Sequence, residues 1–416
     1  MKNRNVLRLS LYQAFMSASI SVPGSWILMD MLLLRMHFDI RLFGIIKSSM
    51  FLVPAIVYWL LANRLRDLRI APAVCRWAYL LRITIPLCLP LTALYVDSAG
   101  IRMAICILVF SSSFSLAMIA NNTLLTVSRA AVAPGVFNKY SLFFYSLQSL
   151  PASLMGYPVA RILGNTSLDD RSFLLLFFAI EAVVCMLYIP AFICLRDLEL
   201  KAPDDLPRPS FKEHLMPFID SDFRTIFAFT ALRAFWMGML STYWTVHLLK
   251  IRGWRADSIV IFETAMMFAL LFIAPLCGKL ADRKGYRLCF LLLTLLSIIA
   301  AYLNLTFWAS PLVLFIAMLI NNNGCVGIIS TCSLSLLSSA VVATAPKGHS
   351  ERYIAAYSIF NSLGAFGGCC VASRLFAYIS DGATADDALY RRFFLITAFL
   401  LIPQLACSLM LKKKRQ

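Results

Sequence analysis

Charged residues are scarce in this sequence of 416 residues. Only 14% of the residues are Asp, Glu, Lys or Arg, whereas 60% are apolar, and the mean hydropathy is +0.78. Soluble domains carry roughly a quarter charged residues, so a soluble fold of this length could not bury so much apolar surface. Disordered chains contain few apolar residues, which excludes that class too. The composition therefore indicates an integral membrane protein.

Several chemical signatures are also missing from the sequence. The twelve cysteines include no Cys-x-x-Cys pair, and the four histidines show no metal-ligand spacing, so neither a disulfide framework nor a zinc site is indicated. The glycine-rich loop that binds nucleotide phosphates is absent. No basic and aromatic platform accompanies the net charge of +17. We therefore expect no metal, no cofactor, no nucleic-acid partner and no enzymatic activity.

Apolar runs long enough to cross a bilayer, which takes about 20 helical residues, recur twelve times. They cover 9–34, 42–62, 73–95, 103–126, 140–163, 172–194, 225–248, 258–278, 286–308, 311–339, 353–379 and 392–411. We predict an all-α membrane protein with twelve transmembrane helices. Its domains are an N-terminal six-helix bundle (1–195), a cytoplasmic linker (196–224) and a C-terminal six-helix bundle (225–416). Residues 210–218 of the linker form either a short helix or a plain connector.

Lys and Arg residues are distributed unequally between the two sides of these runs. If both termini and the linker lie on one side, that side carries 24 of them and the other side carries 11. Basic residues are enriched in cytoplasmic loops. We therefore predict a multi-pass protein of the plasma (inner) membrane with both termini in the cytoplasm.

The loop after the eighth run contains a specific ten-residue motif. Residues 278–287 read Gly-Lys-Leu-Ala-Asp-Arg-Lys-Gly-Tyr-Arg. This segment resembles the G-x-L-A-D-R-x-G-x-R loop of the major facilitator superfamily at every defined position. A related segment, residues 61–64, follows the second run, as expected for two sequence repeats. Trp59 and Asn63 stand there in place of the family's Gly and Asp, so the resemblance is weaker in the first half.

The resemblance implies two pseudo-symmetric six-helix bundles that bind a solute near the bilayer midplane and open to one side at a time. It also implies a cytoplasmic gate motif that holds the cytoplasmic side closed. The gate residues carried over from the family are Gly278, Asp282, Arg283, Gly285 and Arg287. A tight basic turn that only orients the chain is the alternative role for this loop.

Ionisable residues inside apolar runs cost about 2.5–3.5 kcal/mol each on insertion scales, so they usually line a cavity or have a partner. The resemblance places runs one and seven at a central cavity, which favours Asp30 and Arg233 as solute or coupling residues. Arg82 and Glu181 lie in outer runs and are expected to be structural or to pair with each other. The remaining substrate or coupling candidates are Glu263, Lys47, Gln13, Asn321, Asn322, Tyr357, Asn361 and Trp236. Asp30 and Lys47 are candidate partners, and static ion pairs remain an alternative role.

We therefore expect a secondary active transporter of a small organic solute that works by alternating access, with H+ as the candidate coupling ion. Cations within the runs favour an anionic or zwitterionic solute. One alternative is an exporter of drugs and other amphipaths, or a lipid flippase. Another is a non-transporting membrane sensor or assembly factor with the same fold. The expected partners are the lipid bilayer and the solute, and we expect a monomer.

Overall fold

Helices account for nearly all of the chain that the computed structural model describes. The described residues are 2–39, 42–61, 69–131, 137–164, 168–196, 211–306, 310, 312–313, 316–317, 328–346, 350–380 and 386–411. No β-strand occurs among them. This agrees with the predicted all-α class, because only a helix satisfies all its backbone hydrogen bonds within one segment that crosses a bilayer.

The helices of the first half have lengths typical of membrane spans or of their fragments. They are α1 (Lys2–Ser19), α2 (Trp26–Arg35), α3 (Phe43–Leu61), α4 (Ala71–Thr84), α5 (Cys88–Tyr95), α6 (Ala99–Ala131), α7 (Phe137–Leu163), α8 (Asp170–Met186) and α9 (Tyr188–Arg196). A 3₁₀ turn, Ile85–Leu87, joins α4 to α5.

The second half begins with a short helix in the region predicted as linker. Its helices are α10 (Phe211–Ile219), α11 (Ser221–Val246), α12 (Ala256–Lys284), α13 (Tyr286–Thr306), α14 (Ile328–Thr344), α15 (Ser350–Ser380), α16 (Asp387–Ala398) and α17 (Leu401–Met410). A π-helical turn, His247–Ile251, extends α11. Of the two alternatives for residues 210–218, the helix is therefore correct over the part that the structure describes.

The chain divides into two compact units. Unit 1 contains Met1–Phe38 and Ser49–Leu215, and unit 2 contains Asp39–Ser48 and Met216–Gln416. The boundary near residue 215 lies inside the segment 196–224, whereas the assignment of Asp39–Ser48 to unit 2 was not predicted. The division into bundles at 1–195 and 225–416 stays a prediction.

Seven helical segments among the described residues are long and apolar enough to cross a membrane. They are Phe43–Leu61, Ala71–Tyr95, Ala99–Leu124, Asp170–Arg196, Tyr286–Thr306, Arg352–Ser380 and Asp387–Met410. An eighth is formed by Ala256–Leu270 and Phe272–Ala281, which meet at 45°. The other predicted spans are less apolar or only partly described; α11, for example, buries Thr230, Arg233 and Thr242 within the protein.

Several predicted spans are broken helices. The run 9–34 was predicted as one span, but α1 ends at Ser19 and α2 begins at Trp26, with Pro23 and Gly24 in the connecting turns. Proline lacks a backbone N–H and cannot continue a helical hydrogen-bond ladder. The first predicted span is therefore completely interrupted around Pro23 and Gly24. Pro54, by contrast, lies inside the continuous α3.

The closest helix packing in unit 2 joins α11 and α15 through glycine. A Cβ atom added to Gly238 of α11 would lie 2.5 Å from the Ala365 carbonyl oxygen of α15. A Cβ atom added to Gly364 would overlap the Ala231 carbonyl oxygen, and one added to Gly368 would overlap the Phe235 carbonyl oxygen. Small residues let helix backbones approach closely where the bilayer offers no hydrophobic driving force. These glycines therefore fix the distance between the two helices.

Substitution of Gly364 by Ala should destabilise unit 2, because the added methyl group meets backbone that cannot move aside. Overpacking of this kind costs about 1–3 kcal/mol, which exceeds the roughly 1 kcal/mol gained from helix propensity. Gly367 is the matched control, since a Cβ atom there would lie 3.5 Å from the Phe235 ring. The measurement is thermal unfolding of both purified variants. Equal midpoints for Gly364→Ala and Gly367→Ala would contradict the packing argument.

Candidate functional site

Two predicted site residues of unit 2 lie together between α11 and α15. Arg233 is 7% exposed, and the Tyr357 hydroxyl is close enough to interact electrostatically with its guanidinium group. The close α11–α15 contact described above brings these two side chains to the same region. A guanidinium group offers five N–H donors in a planar fork that matches carboxylate and phosphate oxygens. The pair therefore forms a buried cationic centre with a hydroxyl group beside it.

Lys47 is held by the backbone of α11. Its Nζ donates hydrogen bonds to the Ser241 carbonyl oxygen at 2.9 Å and to the Thr242 carbonyl oxygen at 3.3 Å. The side chain is only 1% exposed. The same end of α3 approaches α15 closely, since a Cβ atom at Gly44 would overlap the Ser373 hydroxyl. Lys47 is therefore a buried residue of unit 2 whose ammonium group is bound by helix carbonyls, and it does not extend to the surface.

The predicted site residues of unit 1 are buried on α1 and α2. Asp30 on α2 is 0% exposed, and Gln13 on α1 is nearly as deeply buried. Ser17, one turn beyond Gln13, accepts a hydrogen bond from the Ala152 backbone N–H at 3.1 Å. This bond ties α1 to α7. Asp30 and Arg233 thus occupy the early helices of their respective units, and the pairing of Asp30 with Lys47 stays a prediction.

The other candidates are more scattered. Glu263 on α12 and Asn361 on α15 are half-buried. Trp236 is buried, but its side chain lines a cleft formed with α13 and α16. Asn321 and Asn322 lie outside the described residues. The structure therefore groups Arg233 with Tyr357 and separates Trp236 from them.

The gate motif forms the end of α12 and the turn into α13. Gly285 has φ 85° and ψ 161°, and its N–H donates to the Ala281 carbonyl oxygen at 2.9 Å. That backbone conformation is essentially restricted to glycine, which explains the second glycine of the motif. Arg283 and Arg287 are exposed, and Gly278 is half-buried within α12. The Asp282 side chain lies outside what the structure describes, and the gating role of the motif stays a prediction.

Glu181 and Arg82 are not partners. Both Glu181 carboxyl oxygens are buried on α8 and have no hydrogen-bond partner among the described residues. The Arg82 guanidinium group lies 5.5 Å from the centre of the Tyr79 ring. Of the two roles expected for these residues, the pairing with each other is therefore wrong, because Arg82 contacts an aromatic ring and neither Glu181 oxygen has a partner among the described residues. The sequence shows this glutamate inside the apolar run 172–194, which the family resemblance places away from the central cavity.

A charged cluster at the start of α8 was not predicted. Asp170 Oδ1 accepts from Arg35 Nη1 at 2.9 Å, and Asp170 Oδ2 lies 2.7 Å from His37 Nε2. Arg35 ends α2, so the cluster connects the end of the first predicted span of unit 1 to the start of its last. We call Arg35, His37 and Asp170 the unit 1 clamp.

Unit 2 contains a matching cluster at the start of α16. Asp387 Oδ1 lies 3.0 Å from His247 Nε2 and 3.1 Å from Arg252 Nε. His247 and Arg252 follow α11, so this unit 2 clamp again connects the first and last predicted spans of its unit. His247 is buried against Tyr390 and Phe394, with ring centroids 4.9 and 5.7 Å apart.

Each clamp aspartate follows an N-capping aspartate. Asp169 accepts from the Ser172 N–H at 3.3 Å, and Asp386 accepts from the Leu389 N–H at 2.8 Å. Hydrogen bonds from Ser172 hold the pKa of the exposed Asp169 carboxyl below its usual value. The repeated Asp-Asp pair at 169–170 and 386–387, each ahead of an apolar run, was a signal in the sequence for both clamps.

Long apolar helices with buried ionisable side chains define a multi-pass helical membrane protein. A sequence model described as Major Facilitator Superfamily matches residues 143–369, which is more than half of the chain. The chain therefore belongs to the major facilitator superfamily, whose members are transporters rather than enzymes. No curated protein sequence matches it significantly.

Solved structures of transporters share the fold. The nucleoside transporter NupG is 14% identical, with 100% of this chain and 99% of that chain covered and a TM-score of 0.60. A variant of the E. coli fucose:proton symporter FucP is 13% identical, with 98% of both chains covered and a TM-score of 0.64. A bacterial homologue of the human lysosomal transporter Spinster is 14% identical, with 99% and 96% covered and a TM-score of 0.63. At these identities the likeness establishes the fold alone.

Replacing Asp387 by Asn should weaken the unit 2 clamp, because an amide forms weaker hydrogen bonds with His247 and Arg252 than a carboxylate does. Since Asp387 is 45% exposed, we expect the free energy of unfolding to fall by only about 1 kcal/mol. Asp97→Asn, at an exposed position between α5 and α6, is the control and should leave stability unchanged. Thermal unfolding of the two variants measures the difference, and identical midpoints would argue against the clamp.

Proposed function

We propose that this protein is a secondary active transporter of a small organic acid or zwitterion, that it works by alternating access, and that it resides in the plasma (inner) membrane with both termini in the cytoplasm. Family membership supports transport. The excess of basic residues on the linker side supports the orientation. The buried Arg233 supports the class of solute.

The observation that carries the proposal is the burial of Arg233 beside Tyr357 on two helices in close contact. Ionisable groups at bilayer depth are rare and usually serve a pathway or bind a partner. In a low-dielectric environment, a bidentate contact between guanidinium and carboxylate or phosphate is stronger than in water. A solute acid group would accept from the Arg233 fork, while the Tyr357 hydroxyl offers one further hydrogen bond. The geometry thus suits an anionic group better than a neutral one.

Proton coupling is the second part of the proposal, with Glu181, Asp30 and Glu263 as candidate carriers. Glu181 is the strongest of the three, because its carboxyl group is fully buried and its oxygens have no partner among the described residues. Burying an ionised carboxyl group costs far more than burying the neutral acid. Proton gain and loss at Glu181 would therefore change the local free energy strongly. FucP, which has the same fold, is described as a proton symporter.

A thermal-shift screen of the purified protein should find stabilising solutes mainly among carboxylates, phosphate esters and amino acids, rather than among sugars and nucleosides. Arg233→Ala should abolish the shift, because the solute's anionic group loses its guanidinium partner, and Arg233→Lys should retain part of it. Arg171→Ala, which removes an exposed arginine at the start of α8, should behave as the wild type. Stabilisation by neutral solutes alone, or an undiminished shift in Arg233→Ala, would contradict the anion preference.

The coupling proposal predicts that a pH gradient drives accumulation, in proteoliposomes, of the solute identified by the screen. Glu181→Gln should abolish this accumulation while solute exchange without a gradient continues, because the amide cannot release a proton. Asp30→Asn and Glu263→Gln are tested in parallel, and the variant that loses gradient-driven accumulation identifies the proton carrier. Asp97→Asn is the control. Accumulation that ignores the gradient in the wild type would refute proton coupling. If Glu181→Gln accumulates the solute normally, Glu181 is not the residue that carries the coupled proton.

A further inference from the structure

Three cysteines of unit 2 lie together where α12, α13 and α14 pack against one another. Cys277 belongs to the last part of α12, Cys289 to the first turn of α13, and Cys332 to the second turn of α14. The Cys289 sulfur lies 3.9 Å from the Cys277 carbonyl oxygen, across the turn that contains Gly285. Three separate helices therefore bring these thiols to one place.

Cys277 and Cys332 contact each other through their side chains. The two thiols are close enough for a hydrogen bond between their sulfur atoms, and neither sulfur is part of a disulfide. Cys75 of unit 1 is arranged differently, because its thiol donates to the Ala120 carbonyl oxygen at 3.5 Å. A disulfide bond is about 2.05 Å long. Side-chain rotation has therefore only to bring two neighbouring sulfur atoms closer for Cys277 and Cys332 to form one.

The two thiols differ in how an oxidant reaches them. Cys277 is half-buried, and its neighbours Leu276 and Lys279 are exposed. Cys332, by contrast, is 0% exposed. Redox-sensing sites combine an accessible thiol, which the oxidant meets first, with a second thiol that reacts with the first product. Cys277 suits the first role, and Cys332 suits the second.

The pair adjoins the gate motif. Cys277 is the residue before the motif, which covers 278–287. In the orientation proposed above, on which this step rests, that end of α12 lies in the cytoplasm. Thiols are kept reduced there, and the disulfides that do form are usually transient and redox-sensing. We therefore expect two thiols in the resting protein and a bond between them only after oxidation.

We propose that Cys277 and Cys332 are a modification site at which a hydroperoxide converts the two thiols into a reversible disulfide. With hydrogen peroxide, the Cys277 sulfur attacks one peroxide oxygen, the O–O bond breaks, and the products are a sulfenic acid and water. The Cys332 sulfur then attacks the Cys277 sulfur, so that an S–S bond forms, the S–O bond breaks and a second water leaves. The thiols lose two electrons and two protons, which reduce the peroxide to two water molecules.

The disulfide joins α12 to α14 immediately before the gate motif. It therefore fixes the start of the motif to a second helix of the same unit. A dithiol reductant restores both thiols by thiol–disulfide exchange.

The test treats the purified, reduced full-length protein in detergent with hydrogen peroxide and maps its disulfides by peptide mass spectrometry. Peptides linked through Cys277 and Cys332 should appear, and dithiothreitol should separate them again. The unfolding midpoint of the oxidised protein should be about 3–6 °C higher, because the bond restricts the unfolded chain between α12 and α14. This chemistry is measured without transport and without a membrane, so failure of the proposed function would leave its result unchanged.

Cys332→Ala removes the second thiol, so the rise in midpoint should be lost and Cys277 should stop at the sulfenic acid, which dimedone labels. Cys289→Ala is the matched control, because it removes the third sulfur of the cluster and should leave the link intact. Cys277→Ala provides a second variant if Cys332→Ala does not fold. A peroxide-treated wild type without the link between Cys277 and Cys332, or with Cys277 linked to Cys289 instead, would overturn the proposal.

Discussion

The structure depends on one constraint: a polar group that leaves water for a bilayer needs a partner within the protein. Helices provide these partners for the backbone N–H and C=O groups. The buried ionisable side chains need partners for the same reason. Lys47 meets it with two carbonyl oxygens of α11. Arg233 is placed beside the Tyr357 hydroxyl. The close approach of α11 and α15 at Gly364 and Gly368 makes such contacts possible.

Buried polar groups that have a partner within the protein differ in chemical character from those that have none among the described residues. The clamps join ionisable residues at helix ends, where their contribution is mainly structural. Glu181 and the indole groups of Trp236 and Trp244 lack partners among the described residues. The carboxyl group can change its own protonation state, whereas an indole cannot, so only the carboxyl group suits coupling.

The sequence was sufficient for the class of fold but not for its tertiary contacts. Apolar runs and the motif at 278–287 predicted a helical membrane protein of this family, and the positive φ of Gly285 explains a glycine that the motif already contained. Nothing in the sequence distinguishes Gly364 from Gly367, yet only a Cβ atom at Gly364 would meet the backbone of another helix. Similarly, Glu181 and Arg82 were plausible partners by run order, but the distance between their side chains depends on packing. Such features require coordinates because they arise between segments far apart in the chain.

The two clamps use the same carboxylate position but differ in how their histidines meet the solvent. The His37 side chain is 71% exposed, whereas that of His247 is 1% exposed beneath aromatic rings. A proton from the medium reaches the first imidazole directly, while the second exchanges only when the surrounding rings separate. The two connections therefore exchange with the medium differently: the first is open to water at all times, and the second only during local opening of its unit.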